Sequence, residues 1–140
     1  MRRRTGITLL ELLVVLTMLG LLLSEALPRV WAIANASATR HAAEQVRTVL
    51  SLARERAVIL SRPVAVFIDT AAASLAIGDI EGVISRHDVR QESGVRVDAT
   101  RDSIAFSPLG LGWGASNVSV ILTRGQSAET VTVSRMGRIR

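Results

Sequence analysis

Arg2-Arg3-Arg4-Thr5-Gly6-Ile7-Thr8-Leu9-Leu10-Glu11-Leu12-Leu13-Val14-Val15 opens the chain, and the apolar run that starts at Ile7 continues to Leu27. Three arginines precede the run, one carboxylate, Glu11, stands inside it, and Glu25 lies near its far end. As a helix, Ile7 to Leu27 is about 31 Å long, close to the roughly 30 Å hydrocarbon thickness of a bilayer. Arginines on one side, with no equal cluster just beyond, predict a cytoplasmic N-terminus and a single pass that leaves the rest of the chain across the membrane. An ionised side chain at that depth costs on the order of 2.5 to 3.5 kcal/mol, so Glu11 is a candidate functional residue that needs a nearby cation. A rival reading is a cleaved signal peptide, for which Ser24-Glu25-Ala26 supplies the small-x-small pattern. The length of the run, the charge within it and the periodicity that continues beyond it all favour a retained segment.

From Pro28 the apolar residues recur in helical steps: Val30, Trp31, Ala34, Ala38, Ala42, Val46, Val49, Leu50, Ala53, Ala57 and Leu60. Arg40, Glu44, Arg47, Arg54 and Glu55 fall elsewhere on the helix, so the spacing predicts an amphipathic helix over 28–62 with one stripe against a core. Pro28 lacks an amide proton and crowds the preceding turn, which predicts a helix kink there or a plain boundary. Trp31 suits the membrane interface. Arg62-Pro63 ends the helix, because the residue before proline is driven out of the helical region.

Beyond Pro63 the period changes to that of strands. Val64–Ile68, Leu75–Ile77, Val95–Val97, Ile104–Phe106, Val118–Leu122 and Val131–Val133 are short, mostly β-branched runs separated by Gly, Asp and Ser. Strands this close, with no helical pattern between them, favour antiparallel hairpins. The expected fold class is α+β: a long N-terminal helix, membrane-spanning in its first half and amphipathic in its second, packed on a small antiparallel β head. The expected divisions are a leader (1–6), a transmembrane part of the helix (7–27), its amphipathic part (28–62) and a β-rich head (63–140).

Composition limits the chemistry. The chain has 140 residues and no cysteine, which removes disulfides, thiolate metal sites and cysteine nucleophiles. Its net charge of +5 is concentrated in the leader: removing Arg2, Arg3 and Arg4 from the 17 basic residues leaves 14 against 12 acids. The head is therefore near neutral and gives no bulk electrostatic case for nucleic acid. His41 on the helix and His87 in a polar loop read as surface residues, and no ligand spacing for a metal is present. Asp79, Glu81, Asp88, Glu92, Asp98 and Asp102 lack the ordered spacing of a calcium loop and read as solvated. Gly110-Leu111-Gly112-Trp113-Gly114 precedes strand residues rather than a helix, so it reads as a flexible connection and not a phosphate loop, with Trp113 assigned to the core in preference to a partner contact. No catalytic group, metal, cofactor or small-molecule substrate is expected.

The stretch Gly6-Ile7-Thr8-Leu9-Leu10-Glu11-Leu12-Leu13-Val14-Val15 closely resembles the class III signal of type IV pilins and type II secretion pseudopilins. The family usually has phenylalanine where Ile7 stands. The resemblance implies cleavage after Gly6 by a prepilin peptidase and N-methylation of Ile7. It also implies an assembly charge pair between Glu11 and the new amine of Ile7 on an adjacent subunit. In low dielectric such a pair, about 4 Å apart, attracts far more strongly than in water, which offsets part of the desolvation cost. Ile104-Ala105-Phe106-Ser107-Pro108-Leu109-Gly110 and Val131-Thr132-Val133-Ser134 leading into Gly137-Arg138 resemble the head of the minor pseudopilin GspH and its relative FimT.

That resemblance implies a minor pseudopilin of the type II secretion system. Its partners are other pseudopilins or pilins through the N-terminal helix, the prepilin peptidase and the bacterial inner membrane. The head is periplasmic and later becomes part of the pseudopilus. The alternative is a FimT-like minor pilin acting in pilus assembly or DNA uptake. For that reading Arg138 and Arg140, on one side of an extended tail, are the candidate DNA contacts, with Arg135, Arg124 and Arg101 as additions.

Overall fold

The computed structural model describes residues 8–113 and 117–140. Gly6 and Ile7, the two cleavage-site positions, lie outside the described residues, as does Gly114. The chain divides into two units, residues up to Ala34 and Asn35–Arg140.

Helix α1 is Leu9–Ile59 and contains Pro28 in its interior, so the proline is not a boundary. It stops three residues before Arg62: Leu60 and Ser61 close its last turn through bonds to Arg56 and Val58 carbonyls, and Ser61 takes a left-handed φ of 50°. In the first unit every described residue is exposed. In the second, the apolar stripe is buried at Ala42, Val46, Val49, Leu50, Ala53 and Ala57, as the spacing predicts. Val30, Trp31, Ala34 and Leu60 are exposed, so the core-facing stripe is shorter than the periodic run. Thr39 joins the buried side, its hydroxyl donating to the carbonyls of Asn35 and Ala36 at 3.2 and 3.0 Å, which removes the cost of burying it.

The head consists of β1 (Val64–Asp69), β2 (Ser74–Asp79), β3 (Gly82–Asp88), α2 (Val89–Ser93), β4 (Arg96–Ala99), β5 (Ser103–Phe106), β6 (Gly112–Trp113), β7 (Val118–Arg124) and β8 (Ser127–Val133). All pairings between these strands are antiparallel. They form two sheets, β3-β2-β1-β5-β6 and β4-β7-β8. Alternation assigns the inner faces: Val64, Val66, Ile68, Ile104 and Phe106 in one sheet, and Val118, Val120, Leu122, Val131 and Val133 in the other, join α1 in one core. Phe106 is fully buried, and the turn after it runs through Pro108 to Gly110 at φ 72°.

Three elements have no counterpart in the sequence reading. Strand β3 lacks hydrophobic alternation because Ser85 and His87 occupy the positions opposite Ile77 and Leu75. Strand β6 is two residues long. Helix α2 is a single turn bounded by Asp88, whose carboxylate accepts from the Gln91 amide, and by Gly94 at φ 63°. Those two caps are the expected ones, but they enclose no apolar period.

Phe106 fills the centre of this core. Phe106→Ala should destabilise the head by about 3 to 5 kcal/mol, whereas Phe67→Ala, at a half-exposed position on the outer face of the same sheet, should cost under about 1 kcal/mol. Urea unfolding midpoints of a chain beginning at Asn35 measure both.

Candidate functional site

Thr8 precedes the first helical residue, and its hydroxyl oxygen accepts the backbone N–H of Glu11 at 3.2 Å. Thr8-x-x-Glu11 is therefore the threonine half of a capping box. It places the carboxylate in the first turn, where the partial positive charge of the helix N-terminus favours an anion. This local reason for Glu11 was available in the sequence as a Ser/Thr-x-x-Glu pattern ahead of an apolar run. Glu11 itself is exposed, with no salt bridge among the described residues.

The surface around Glu11 is unusual for an isolated chain. Leu9 is 83% exposed, Leu13 56%, Leu21 70% and Ile33 70%, and an apolar window of mean hydropathy 2.1 has no part of it buried. Exposed apolar area on this scale marks a surface covered by lipid or by another chain. The polar residues within it are compatible with either environment. Thr17 and Ser24 donate their hydroxyls to the carbonyls of Val14 and Leu21, both at 2.8 Å, leaving no unsatisfied side-chain donor.

In the head, the C-terminal residues do not form a free tail. The backbone of Arg140 exchanges two 2.9 Å hydrogen bonds with Thr132, Arg138 O accepts from Ser134 N at 2.9 Å, and Ile139 bridges to Val133. Gly137 closes the turn at φ 71°, and a side chain there would collide with the Gly110 carbonyl, which explains glycine at this position. Arg138 and Arg140 are exposed and alternate with Ile139, which packs against the core. With Asn117, Ser119, Thr132 and Ser134, and with Val118, Val133 and Met136 between them, they line one basin. Arg135 is exposed and adjoins Asn117 through its amide. Arg101 is also exposed. Arg124 does not join them: its guanidinium donates to the Ser93 carbonyl at 2.8 Å.

Other expectations change. Trp113 is 57% exposed on β6, opposite Ala105, because that strand forms the sheet edge and turns the ring outward. His87 lies in β3 and not in a loop, with its Nε2 buried and without a hydrogen-bond partner among the described residues, whereas His41 is exposed as expected. Asp79 and Glu81 are not free solvated carboxylates. Arg62 donates to both Glu81 oxygens at 2.7 and 3.1 Å and pairs with Asp79 at 2.8 Å, while Asp79 accepts the Glu81 amide at 2.8 Å. The Asp79 side chain is only 2% exposed, so this clamp ties the β2–β3 turn to the end of α1. Among the described residues no group of His, Cys, Asp or Glu is placed to hold a metal ion.

The profile of the family described as Type II transport protein GspH matches residues 42–137, which takes in the buried stripe of α1 from Ala42 and the head up to Gly137. The chain belongs to the GspH family. The prokaryotic N-terminal methylation motif matches residues 1–24. The pilin-like protein PilA1 of Thermus thermophilus is 32% identical over 155 aligned positions, covering 98% of this chain and 97% of PilA1. Two solved structures share the fold at low identity. The type IV minor pilin FimU of Pseudomonas aeruginosa has a TM-score of 0.63 at 19% identity, over 73% of this chain and 86% of FimU. The minor pseudopilin EpsH from the type 2 secretion system of Vibrio cholerae has a TM-score of 0.60 at 16% identity, over 73% and 94%. GspH-family proteins are structural pilins and pseudopilins, and the GspH head described here carries its long helix on the inner faces of two antiparallel sheets.

The Arg62 clamp gives this GspH head a pH dependence. Hydrogen bonds from Arg62 hold the Glu81 carboxyl below the usual carboxylate range, and the bond to Glu81 raises the Arg62 guanidinium, which stays charged throughout. A lowered folded value means that the stabilisation is complete above the unfolded glutamate value of about 4.3 and is lost as pH falls through the lowered value. Thermal melts of a chain beginning at Asn35 should show a higher midpoint than Glu81→Gln at pH 7, with the gap closing under acid conditions.

Proposed function

We propose that this chain is a minor pseudopilin of the type II secretion system, a fibre subunit held in the bacterial inner membrane before assembly. The single observation that carries the reading is the fully exposed apolar half of α1, which finds no partner within the described chain. Lipid covers it first, and the helices of neighbouring subunits cover it in the periplasmic pseudopilus that drives protein export. The three arginines before it support a cytoplasmic N-terminus and a periplasmic head.

In this reading a prepilin peptidase cuts between Gly6 and Ile7, N-methylates Ile7, and the Ile7 amine of one subunit pairs with Glu11 of the next. Both charges lose water in the fibre, so pairing relieves two penalties at once and selects one axial register, while apolar packing supplies most of the association. Thr8 supports this role by holding Glu11 in the first turn. Pro28 cannot donate to the carbonyl of Ser24 and acts as the kink between the leader-proximal helix and the part that serves the head.

A second reading, a FimT-like minor pilin engaged in pilus assembly or DNA uptake, is favoured by one observation. Pinning of the C-terminus puts Arg138 and Arg140 on a surface rich in hydroxyl and amide groups, which is the chemistry of phosphate contact.

Mass spectrometry should find a mature chain starting at methylated Ile7, and Glu11→Ala should be cleaved normally yet be depleted at least about tenfold from sheared fibres. A start at Leu27, or normal incorporation of the variant, would refute the processing or the pairing role respectively. For DNA, a gel-shift titration of a chain beginning at Asn35 with duplex should show salt-sensitive binding that Arg138→Ala/Arg140→Ala weakens; absent or unaltered binding would remove the phosphate contact.

A further inference from the structure

Two helical repeats meet in the head and leave a groove of about 360 Å³ between them. On α1, Glu44, Thr48 and Leu52 follow one another at intervals of four, which sets them along one line of the helix, with Val49 beside them. On the other side the single turn of α2 places Val89 and Glu92 three residues apart, directly after Asp88. Val49 and Val89 belong to the core and Leu52 packs against it, so these three form an apolar floor. Glu44, Asp88 and Glu92 are exposed and form the rim.

The charge of this rim is not balanced from within. No arginine lines the groove, whose other ionisable groups are His41 and His87. Arg47 pairs with Glu44 at 2.6 Å and so accounts for one carboxylate. Arg90, between Asp88 and Glu92 in sequence, is turned away and donates to the Ala71 carbonyl at 2.8 Å. Asp88 accepts the Gln91 amide at 2.9 Å and Glu92 accepts from the Gln45 side chain, both neutral donors. Among the described residues neither Asp88 nor Glu92 forms an ion pair. Gln45 also accepts from the Ser93 hydroxyl at 3.3 Å, so α1 and α2 are tied together and the groove is preformed.

We propose that this groove receives an arginine or lysine side chain, with an aliphatic neighbour, from the head of a different fibre subunit. The aliphatic stem and its neighbour cover Val49, Leu52 and Val89, and the cationic end meets Asp88 and Glu92. Charge complementarity selects this chemistry: a purely apolar partner would desolvate two carboxylates without a cation, and a bare cation would leave the floor in water. A second copy of this chain is not the occupant. Groove against groove sets like charges together, and groove against any other surface of a second copy is a heterologous contact that repeats from copy to copy, which a minor subunit does not make. The inference rests on the minor-subunit reading and adds to it the surface by which the head selects its neighbour.

Thr48 is exposed in the wall of the groove and is the position for a photoreactive probe. The full-length chain with benzoylphenylalanine in place of Thr48, irradiated in the producing cells, should form an adduct with a different protein whose own N-terminus is methylated. Mass spectrometry should map the attachment beside an arginine or lysine of that protein. Glu92→Arg in the photoreactive chain should lower the adduct about tenfold and Glu92→Gln should lower it less; exchanging the mapped basic residue for glutamate should restore the adduct of Glu92→Arg. No adduct, an adduct between two copies of this chain, attachment to a protein without the methylated N-terminus or to a segment without a basic residue, or failure of the charge exchange to restore it would each overturn the contact. A mature start at methylated Ile7, with depletion of Glu11→Ala from sheared fibres of the same cells, shows that such a failure concerns the groove and not the fibre reading.

Discussion

Everything in this molecule depends on how one helix disposes of its apolar surface. From Thr39 to Ala57 the problem is solved internally: a stripe rich in alanine is buried in one core with the β-branched inner faces of both sheets. Before Asn35 no such solution exists within the described chain, and leucine after leucine remains exposed. The hydrophobic effect that stabilises the head therefore acts, at the other end, as a demand for lipid or for other helices.

Glu11 is intelligible only against that background. A carboxylate among leucines is costly to desolvate, yet the Thr8 hydroxyl and the helix N-terminus stabilise the turn that carries it. The remaining need is for a full positive charge. Because that charge is supplied by another copy in the proposed assembly, the residue that penalises the isolated helix in hydrocarbon also fixes how helices stack.

Much of the fold was legible because it is written in short-range periods. Steps of three and four marked the stripe through Ala42, Val46 and Ala53, and alternation marked β1, β5, β7 and β8. Strand β3 escaped because its inner positions are Ser85 and His87, and β6 because two residues make no period. Trp113 was misplaced for the same reason: a large apolar side chain is buried only if its strand has neighbours on the correct face, and β6 is an edge. The ion pairs of Arg62 with Asp79 and Glu81 join residues far apart in sequence, which no local pattern announces.

The sequence alone determined the membrane-length apolar run, the place of Glu11 within it, the change from helical to strand period at Pro63 and most of the inward positions of β1, β5, β7 and β8. These follow from spacing and from the transfer energies of individual side chains, which belong to the chain before it folds. Only the tertiary structure decided the division into two sheets, the return of the C-terminus onto β8 and the outward face of Trp113. Each of these depends on which distant backbone a strand pairs with, and pairing selects the face that every side chain presents.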